Sequence, residues 1–308
     1  MSKIVILLST YNGEKYLKEQ LDSMFSQSYK DFEIIARDDC SSDETINILK
    51  SYNIKILDTD KNLGAKLSFS TLLNYAVRNT DAEYFMFCDQ DDIWKNDKIE
   101  KTIKIMKELE KTNSDLPLLV HTDLEVVDEK INLLAESFWK YEKRDPSLNS
   151  LNRLIIQSTV TGCTMMINRK LAKLSLPVSE NSIMHDWWIS MVASSFGKIA
   201  YLEESTISYR QHSSNDTGSK KFGLNLILKK AINFLFYDEL YKHLDRNIKQ
   251  AESFLNQYES LLDTDTKNML KDFVSIKEKS FLEKRKILLK HDILKQGIIR
   301  NMGLLLKI

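Results

Sequence analysis

Between Ile4 and Leu109 the chain repeats one unit four times: a short β-rich apolar run, a polar turn, then apolar residues at helical spacing. The runs are Ile4 to Leu8, Phe32 to Ala36, Ile54 to Leu57 and Tyr84 to Cys88. Behind them come helical stripes: Leu17, Leu21, Met24 and Phe25; Ile46, Ile48 and Leu49 after a cap at Ser41 or Ser42; Leu67, Leu72, Leu73, Ala76 and Val77; and Ile99 to Leu109. Strand–helix units of this length predict a parallel α/β sheet with helices on both faces. Ligands of such sheets bind beyond the carboxyl ends of the strands, so the chemistry belongs in the turns that follow them.

From Pro117 to Arg210 the pattern is mixed, with strands expected near Leu118–His121, Cys163–Ile167 and Thr206–Arg210 and a helix near Trp187–Phe196. Beyond Phe222 the chain reads as helical and Lys-rich, and Ser213 to Gly218 is the expected hinge. The expected organisation is a parallel half over 1–116, a mixed half over 117–218 and a helical extension over 219–308.

The chain's 44 basic residues balance its 44 acidic ones, so no global field recruits nucleic acid. The balance is uneven along the chain: 16 basic against 11 acidic residues follow Phe222. Cys40, Cys88 and Cys163 are far apart and odd in number, which argues against a disulfide framework or zinc site and for a reducing compartment. No apolar run approaches the roughly 18 residues that span a bilayer, and Ile4 to Leu8 is too short for a signal peptide. The expected setting is cytoplasmic. Between Lys277 and Ile308, 9 basic residues face 3 acidic ones. The tail reads either as a peripheral contact with an anionic inner membrane, together with the stripe from Leu224 to Leu235, or as a helical cover or dimer contact.

Ser9-Thr10-Tyr11-Asn12-Gly13 follows the first run, where a hydroxyl and exposed amides suit a polar or anionic ligand, though a bare turn reads the same way. It is not G-x-G-x-x-G, which argues against a nicotinamide cofactor. Nor is it a Gly-rich loop carrying Lys or Arg, which disfavours a sugar nucleotidyltransferase. Arg37-Asp38-Asp39-Cys40-Ser41-Ser42-Asp43 follows the second run. Its paired acids either contact a pyrimidine imide or a ribose, or cap the next helix.

Asp89-Gln90-Asp91-Asp92 follows the fourth run. Three carboxylates in four residues repel one another; either a divalent cation bridging a diphosphate neutralises them or they form a solvated acidic loop, which the flanking Cys88 and Ile93-Trp94 disfavour. His185-Asp186-Trp187-Trp188 opens a helix, where Asp186 is either a base or a helix-end charge and the indoles are either a sugar platform or core. Tyr209-Arg210-Gln211-His212 ends a strand, with Arg210 suited to a phosphate and His212 to a metal shell.

In this order, S-T-Y-N-G, R-D-D-C-S-S-D, D-Q-D-D-I-W, V-T-G-C-T, H-D-W-W and Y-R-Q-H resemble the family 2 glycosyltransferases over residues 3 to 215, most nearly bacterial rhamnosyltransferases of surface polysaccharide assembly. The resemblance implies a GT-A fold, a Rossmann-like nucleotide-diphospho-sugar transferase architecture with residues 1–116 as donor half and 117–218 as acceptor half, and inversion at the anomeric carbon. It implies that Thr10, Tyr11 and Asp39 contact the donor nucleotide and that Asp89 and Asp91 form a D-x-D motif for Mn²⁺ or Mg²⁺. Asp186 then matches the catalytic base, and Arg210 and His212 a segment over the diphosphate. Gly162, Cys163, Trp187 and Trp188 fall on the acceptor side. The implied partners are a nucleotide-diphosphate sugar, with dTDP-rhamnose first and UDP-galactose or UDP-glucose the rival, and a glycan or lipid-linked acceptor. A non-catalytic nucleotide-sugar scaffold is the reading of another class. Two departures stand out: Cys40 where relatives carry Gly or Asn, and Asn215 to Gly218 in place of a hydrophobic ending.

Overall fold

The computed structural model describes residues 3–212 and 238–308. The expected hinge, the domain boundary at 218, the Leu224–Leu235 stripe and the Asn215–Gly218 departure lie outside the described residues.

Four parallel strands form one half of a single sheet: β1 (Ile4–Thr10), β2 (Phe32–Asp38), β3 (Lys55–Leu57) and β4 (Tyr84–Cys88), side by side in the order β3-β2-β1-β4. Their side chains alternate between two cores. Ile4, Ile6, Leu8, Tyr84 and Met86 enter one, while Val5, Leu7, Phe85 and Phe87 enter the other. Because both faces are covered, the strands read as unbroken apolar runs, as expected for buried parallel strands. Each fully buried large side chain contributes about 1.5–3 kcal/mol of transfer free energy.

Past β4 the sheet becomes mixed. β5 (Ile93–Trp94), β6 (Leu118–Val127), β7 (Leu133–Ala135), β8 (Met166–Asn168) and β9 (Lys198–Arg210) extend the order to β3-β2-β1-β4-β8-β6-β9-β5, with β7 on β6. β6 and β9 run well beyond their expected ends. Buried His121, Thr122 and Asp123 break the apolar pattern of β6, yet the strand continues because β9 pairs with it. The Thr122 and Thr206 hydroxyls bond across that pair at 2.6 Å. A strand was expected to begin at Cys163. Instead Gly162–Thr164 is a 3₁₀ turn closed by Thr164 N–H donating to Thr161 O at 3.0 Å, and the strand starts at Met166.

The helices are α1 (Leu17–Phe25), α2 (Thr45–Lys50), α3 (Gly64–Asn79), α4 (Lys98–Asn113), α5 (Phe138–Glu142), α6 (Leu151–Leu154), α7 (Arg169–Leu174) and α8 (His185–Phe196). Ser41 and Ser42 do not cap α2, which begins only at Thr45. Cys40 turns the chain through φ 67°, and Ser41 folds back onto Asp38 while Ser42 N–H bonds Asn12 Oδ1 at 2.9 Å. The left-handed region favours Gly and Asn, which gives the departure at Cys40 its physical meaning.

α9 (Asp238–Tyr258), α10 (Thr264–Val274), α11 (Phe281–Lys290) and α12 (Ile298–Lys307) follow. Phe254, Tyr258, Leu270 and Phe273 join the core shared by α3, α7 and α8, so these helices cover one face of the sheet. Among the described residues no helix is long and apolar enough to cross a membrane.

Candidate active site

The polar turns after β1, β2 and β4 meet the ends of β9 and α8. Gln90 ties the first and third turns: its Oε1 accepts from Tyr11 N–H at 2.7 Å and its Nε2 donates to Tyr11 O at 2.9 Å. Gly13 makes this approach feasible, since a Cβ there would lie 2.3 Å from Gln90 Oε1. Asp38 ties the first turn to the second by accepting from the Thr10 hydroxyl at 2.9 Å and from Ser41 N–H at 2.8 Å. Gln90 did not stand out as a site residue in sequence, and Asp38 did so only as one of the paired acids, because their work is to join loops remote in the chain.

Asp39 is buried, and its carboxylate accepts from the Arg37 guanidinium, from Leu63 N–H at 2.8 Å and from Gly64 N–H at 2.7 Å. It therefore holds the start of α3 and balances a buried cation, in place of the open nucleotide contact expected of it. Thr10 is also buried and commits its hydroxyl to Asp38, so it shapes the loop. Tyr11, 50% exposed, faces outward from this turn together with Asn12.

After β4 the three acids separate by environment. Asp92 is wholly buried, and burial, then the charges of Asp91 and Asp89, hold its pKa well above the ordinary carboxylate value. It accepts from Arg210 N–H at 3.2 Å and from the Cys163 thiol, while its second oxygen has no partner among the described residues. Lys98 lies buried beneath the same loop, its Nζ 4.7 Å from the Trp94 ring centroid, and burial pushes its pKa down to about 8. Asp91 is at the surface of the cluster, with Oδ2 2.9 Å from His212 Nε2. The His212 ring packs on Tyr16 at 4.8 Å between centroids.

Arg210 does not offer a phosphate clamp. Its side chain is 3% exposed. Nε donates to Asp91 O at 2.9 Å, Nη1 to Glu129 O at 3.0 Å and Nη2 to Glu19, over the face of Tyr16. A buried guanidinium requires such a set of acceptors, and the outcome is a pinned backbone at Asp91.

Asp186 lies in the first turn of α8. Its carboxylate accepts from Trp187 N–H at 2.7 Å and from Gly162 N–H. Burial raises its pKa from 3.8 to about 6 against the opposing pull of these amides and of the nearby Arg144 charge. A Cβ at Gly162 would sit 3.1 Å from His185 Nε2, so glycine lets this turn close on α8. Arg144, which sequence reasoning missed, donates to Ser158 O at 2.7 Å. Trp188 is fully buried against Phe254 and Tyr258 and donates to Ser175 O at 3.2 Å, which makes it core and excludes it as a sugar platform. Cys163 is likewise buried, its thiol pushed well up by burial and bonded to Asp92, so it backs the acidic loop and does not face an acceptor. Trp187 is half-buried, its indole N–H donated to Leu154 O.

The sequence matches the family described as glycosyl transferase family 2 over residues 5–174. The chain belongs to the family 2 glycosyltransferases. An uncharacterized glycosyltransferase of Rickettsia typhi is 31% identical over 223 residues, covering 70% of this chain and 66% of the relative. The dTDP-rhamnosyl transferase RfbG of Shigella flexneri is 27% identical over 225 residues, covering 69% of this chain and 74% of the relative. The chain spans only part of its Rickettsia relatives, down to 23% of the length of the protein from Rickettsia bellii. Among solved structures, S. aureus TarS superposes with a TM-score of 0.56 at 17% identity, covering 94% of this chain and 72% of that one. The mannosyltransferase PcManGT from Pyrobaculum calidifontis, in complex with GDP-Man and Mn²⁺, gives 0.52 at 13% identity, covering 95% and 80%. The fold is GT-A, as the motifs implied.

Among the described residues, two groupings offer ligand atoms to a divalent cation. Two adjacent ligands of an octahedral Mg²⁺ at 2.0–2.1 Å lie roughly 3 Å apart. The Asp91 Oδ2 to His212 Nε2 hydrogen bond, at 2.9 Å, is close to the length of that edge. The alternative trio of Asp89, Asp92 and Cys163 spans up to 4.8 Å and includes a protonated thiol, a poor donor for Mg²⁺ or Mn²⁺.

Proposed function

We propose that the chain transfers a hexose from a nucleotide-diphosphate donor to a saccharide acceptor by a single inverting displacement, with Asp186 as general base. The observation that carries this reading is the Asp186 carboxylate: fixed by two backbone amides at the start of α8, with its pKa raised to about 6, it is ionised at neutral pH yet basic enough to take a proton. Asp186 accepts the proton of an acceptor hydroxyl. That oxygen bonds to the donor's anomeric carbon as the carbon–oxygen bond to the diphosphate breaks, and the diphosphate leaves with the electron pair. A divalent cation held by Asp91, His212 and Asp89 would offset the negative charge of that diphosphate. Arg210 keeps Asp91 in place through its carbonyl, and Tyr11, fixed by Gln90, is the residue offered to the nucleotide.

The donor best supported is dTDP-rhamnose, because RfbG bears that name and the motif order resembles rhamnosyltransferases; a UDP-sugar is the rival, since TarS has been crystallised with UDP-GlcNAc. The acceptor we propose is a glycan or lipid-linked saccharide of surface polysaccharide synthesis, a role named for the teichuronic acid relative TuaG of Bacillus subtilis, which is 33% identical over 110 residues. Three free cysteines, two of them buried, support a reducing, cytoplasmic setting.

The test is calorimetric titration of dTDP-rhamnose, UDP-galactose and UDP-glucose, each with Mn²⁺ and with EDTA. Binding of one donor that EDTA abolishes is the expected result. Binding of every donor regardless of EDTA would refute the metal assignment, and no binding by folded protein would refute the donor assignment.

A further inference from the structure

Large apolar side chains exposed on the described residues gather at the end of the chain. On α12, Ile298, Ile299, Met302 and Leu306 all point outward, Ile298 being 80% exposed. Their spacing of one, four and eight places them on one helical face, away from Arg300. The opposite side of α12 is committed: Leu304 is core, and Arg300 donates to Glu142 O at 2.7 Å. On α11, Leu282 is 75% exposed and Leu289 follows one heptad later, with Phe281 at the helix start. Arg285 Nη1 bonds Ile308 O at 3.3 Å, which brings the two helices together. A monomer in water rarely displays this much contiguous apolar surface without a partner.

Charge says which partner. The flanking residues of α11 are Lys284, Arg285, Lys286 and Lys290 against Glu283, and 9 basic residues face 3 acidic ones from Lys277 to Ile308 in a chain of zero net charge. Lys277 and Lys290 pair with Asp245 and Asp272, while Lys284 and Lys286 enter no ion pair among the described residues. An apolar helix face rimmed with lysine is matched by an anionic lipid surface, whose acyl boundary takes the leucines and whose headgroups take the cations.

We propose that α11 and α12 form a face that docks on an anionic lipid bilayer. The inference goes beyond the transferase reading and does not depend on it. Docking would also bear on the site: Gln296, just before α12, accepts from Asp145 N–H and its own N–H donates to Gln157 at 2.9 Å, so the helix braces the segment carrying Arg144 beside Asp186.

The experiment is flotation of the full chain with vesicles of phosphatidylcholine alone or with phosphatidylglycerol, at low and high salt. It is repeated for a Met302→Asp/Leu306→Asp variant and for Leu282→Asp, both checked for an unchanged melting transition. The expected result is co-flotation with anionic vesicles that weakens in salt and falls at least tenfold in both variants. A wild-type chain that floats with neither vesicle would overturn the proposal. So would equal binding to both lipids, or a dimer by light scattering that the variants dissociate without any vesicle binding.

Discussion

Replacing Asp186 with Asn removes one ionisable oxygen and keeps the shape. Burial raises the folded-state pKa of this acid from 3.8 to about 6. At about 1.36 kcal/mol per unit, the ionised carboxylate costs the native state up to about 3 kcal/mol at neutral pH. The sign follows from the direction of the shift. Below the unfolded pKa the neutral acid costs nothing; the cost grows as pH rises toward 6 and is complete above it. Asp186→Asn is therefore expected to unfold at higher denaturant than wild type at pH 7.5. The gain should be about 1–2 kcal/mol, below the ceiling because the amide accepts from the Trp187 and Gly162 N–H groups through one oxygen only. The two proteins should converge near pH 4. Turnover should fall 10²- to 10⁴-fold with donor affinity kept, the range for loss of a general base. Wild-type kcat should rise with pH through about 6. Urea melts at pH 7.5 and 4 and donor titrations test this directly. A variant that is no more stable at pH 7.5, or that turns over within tenfold of wild type, would refute the assignment of a strained base.

Asp91→Ala and His212→Ala should each abolish the EDTA-sensitive part of donor binding in calorimetry, while the far-UV spectrum is unchanged. Gln90→Ala removes both bonds that hold the Tyr11 backbone and should raise donor KM about tenfold with a smaller change in kcat, since two exposed bonds at about 0.5–1 kcal/mol each bear on loop order. Cys40→Gly relieves a left-handed residue at φ 67° and should stabilise the protein by about 1 kcal/mol in urea melts, a figure reduced by the added freedom of glycine in the unfolded chain.

The order of motifs marked the turn after β4 and the start of α8 as chemistry; the structure pairs Asp91 with His212 and links the two segments through Gly162 and Cys163, which bond Asp186 and Asp92. What the motifs could not show was which members face a ligand. Arg210 and Asp39 carry the same charge whether they meet phosphate, nucleotide or protein. Their burial against Glu19, Arg37 and the start of α3 is a property of neighbours brought in from elsewhere in the chain. Trp187 and Trp188 are adjacent in sequence, yet only Trp188 meets Phe254 and Tyr258 from a helix some 70 residues later.

By itself the sequence determined the alternation of strands and helices, the two-faced burial of β1 to β4 and the positions of the polar turns, because period and turn chemistry are local properties of a few consecutive residues. Tertiary structure alone decided the long β6–β9 pair, the burial of Asp92 above Lys98, the raised pKa of Asp186 and the outward apolar face of α12. These depend on solvent exclusion and on partners distant in the chain, and a side chain's charge state or exposure is set only when those partners close around it.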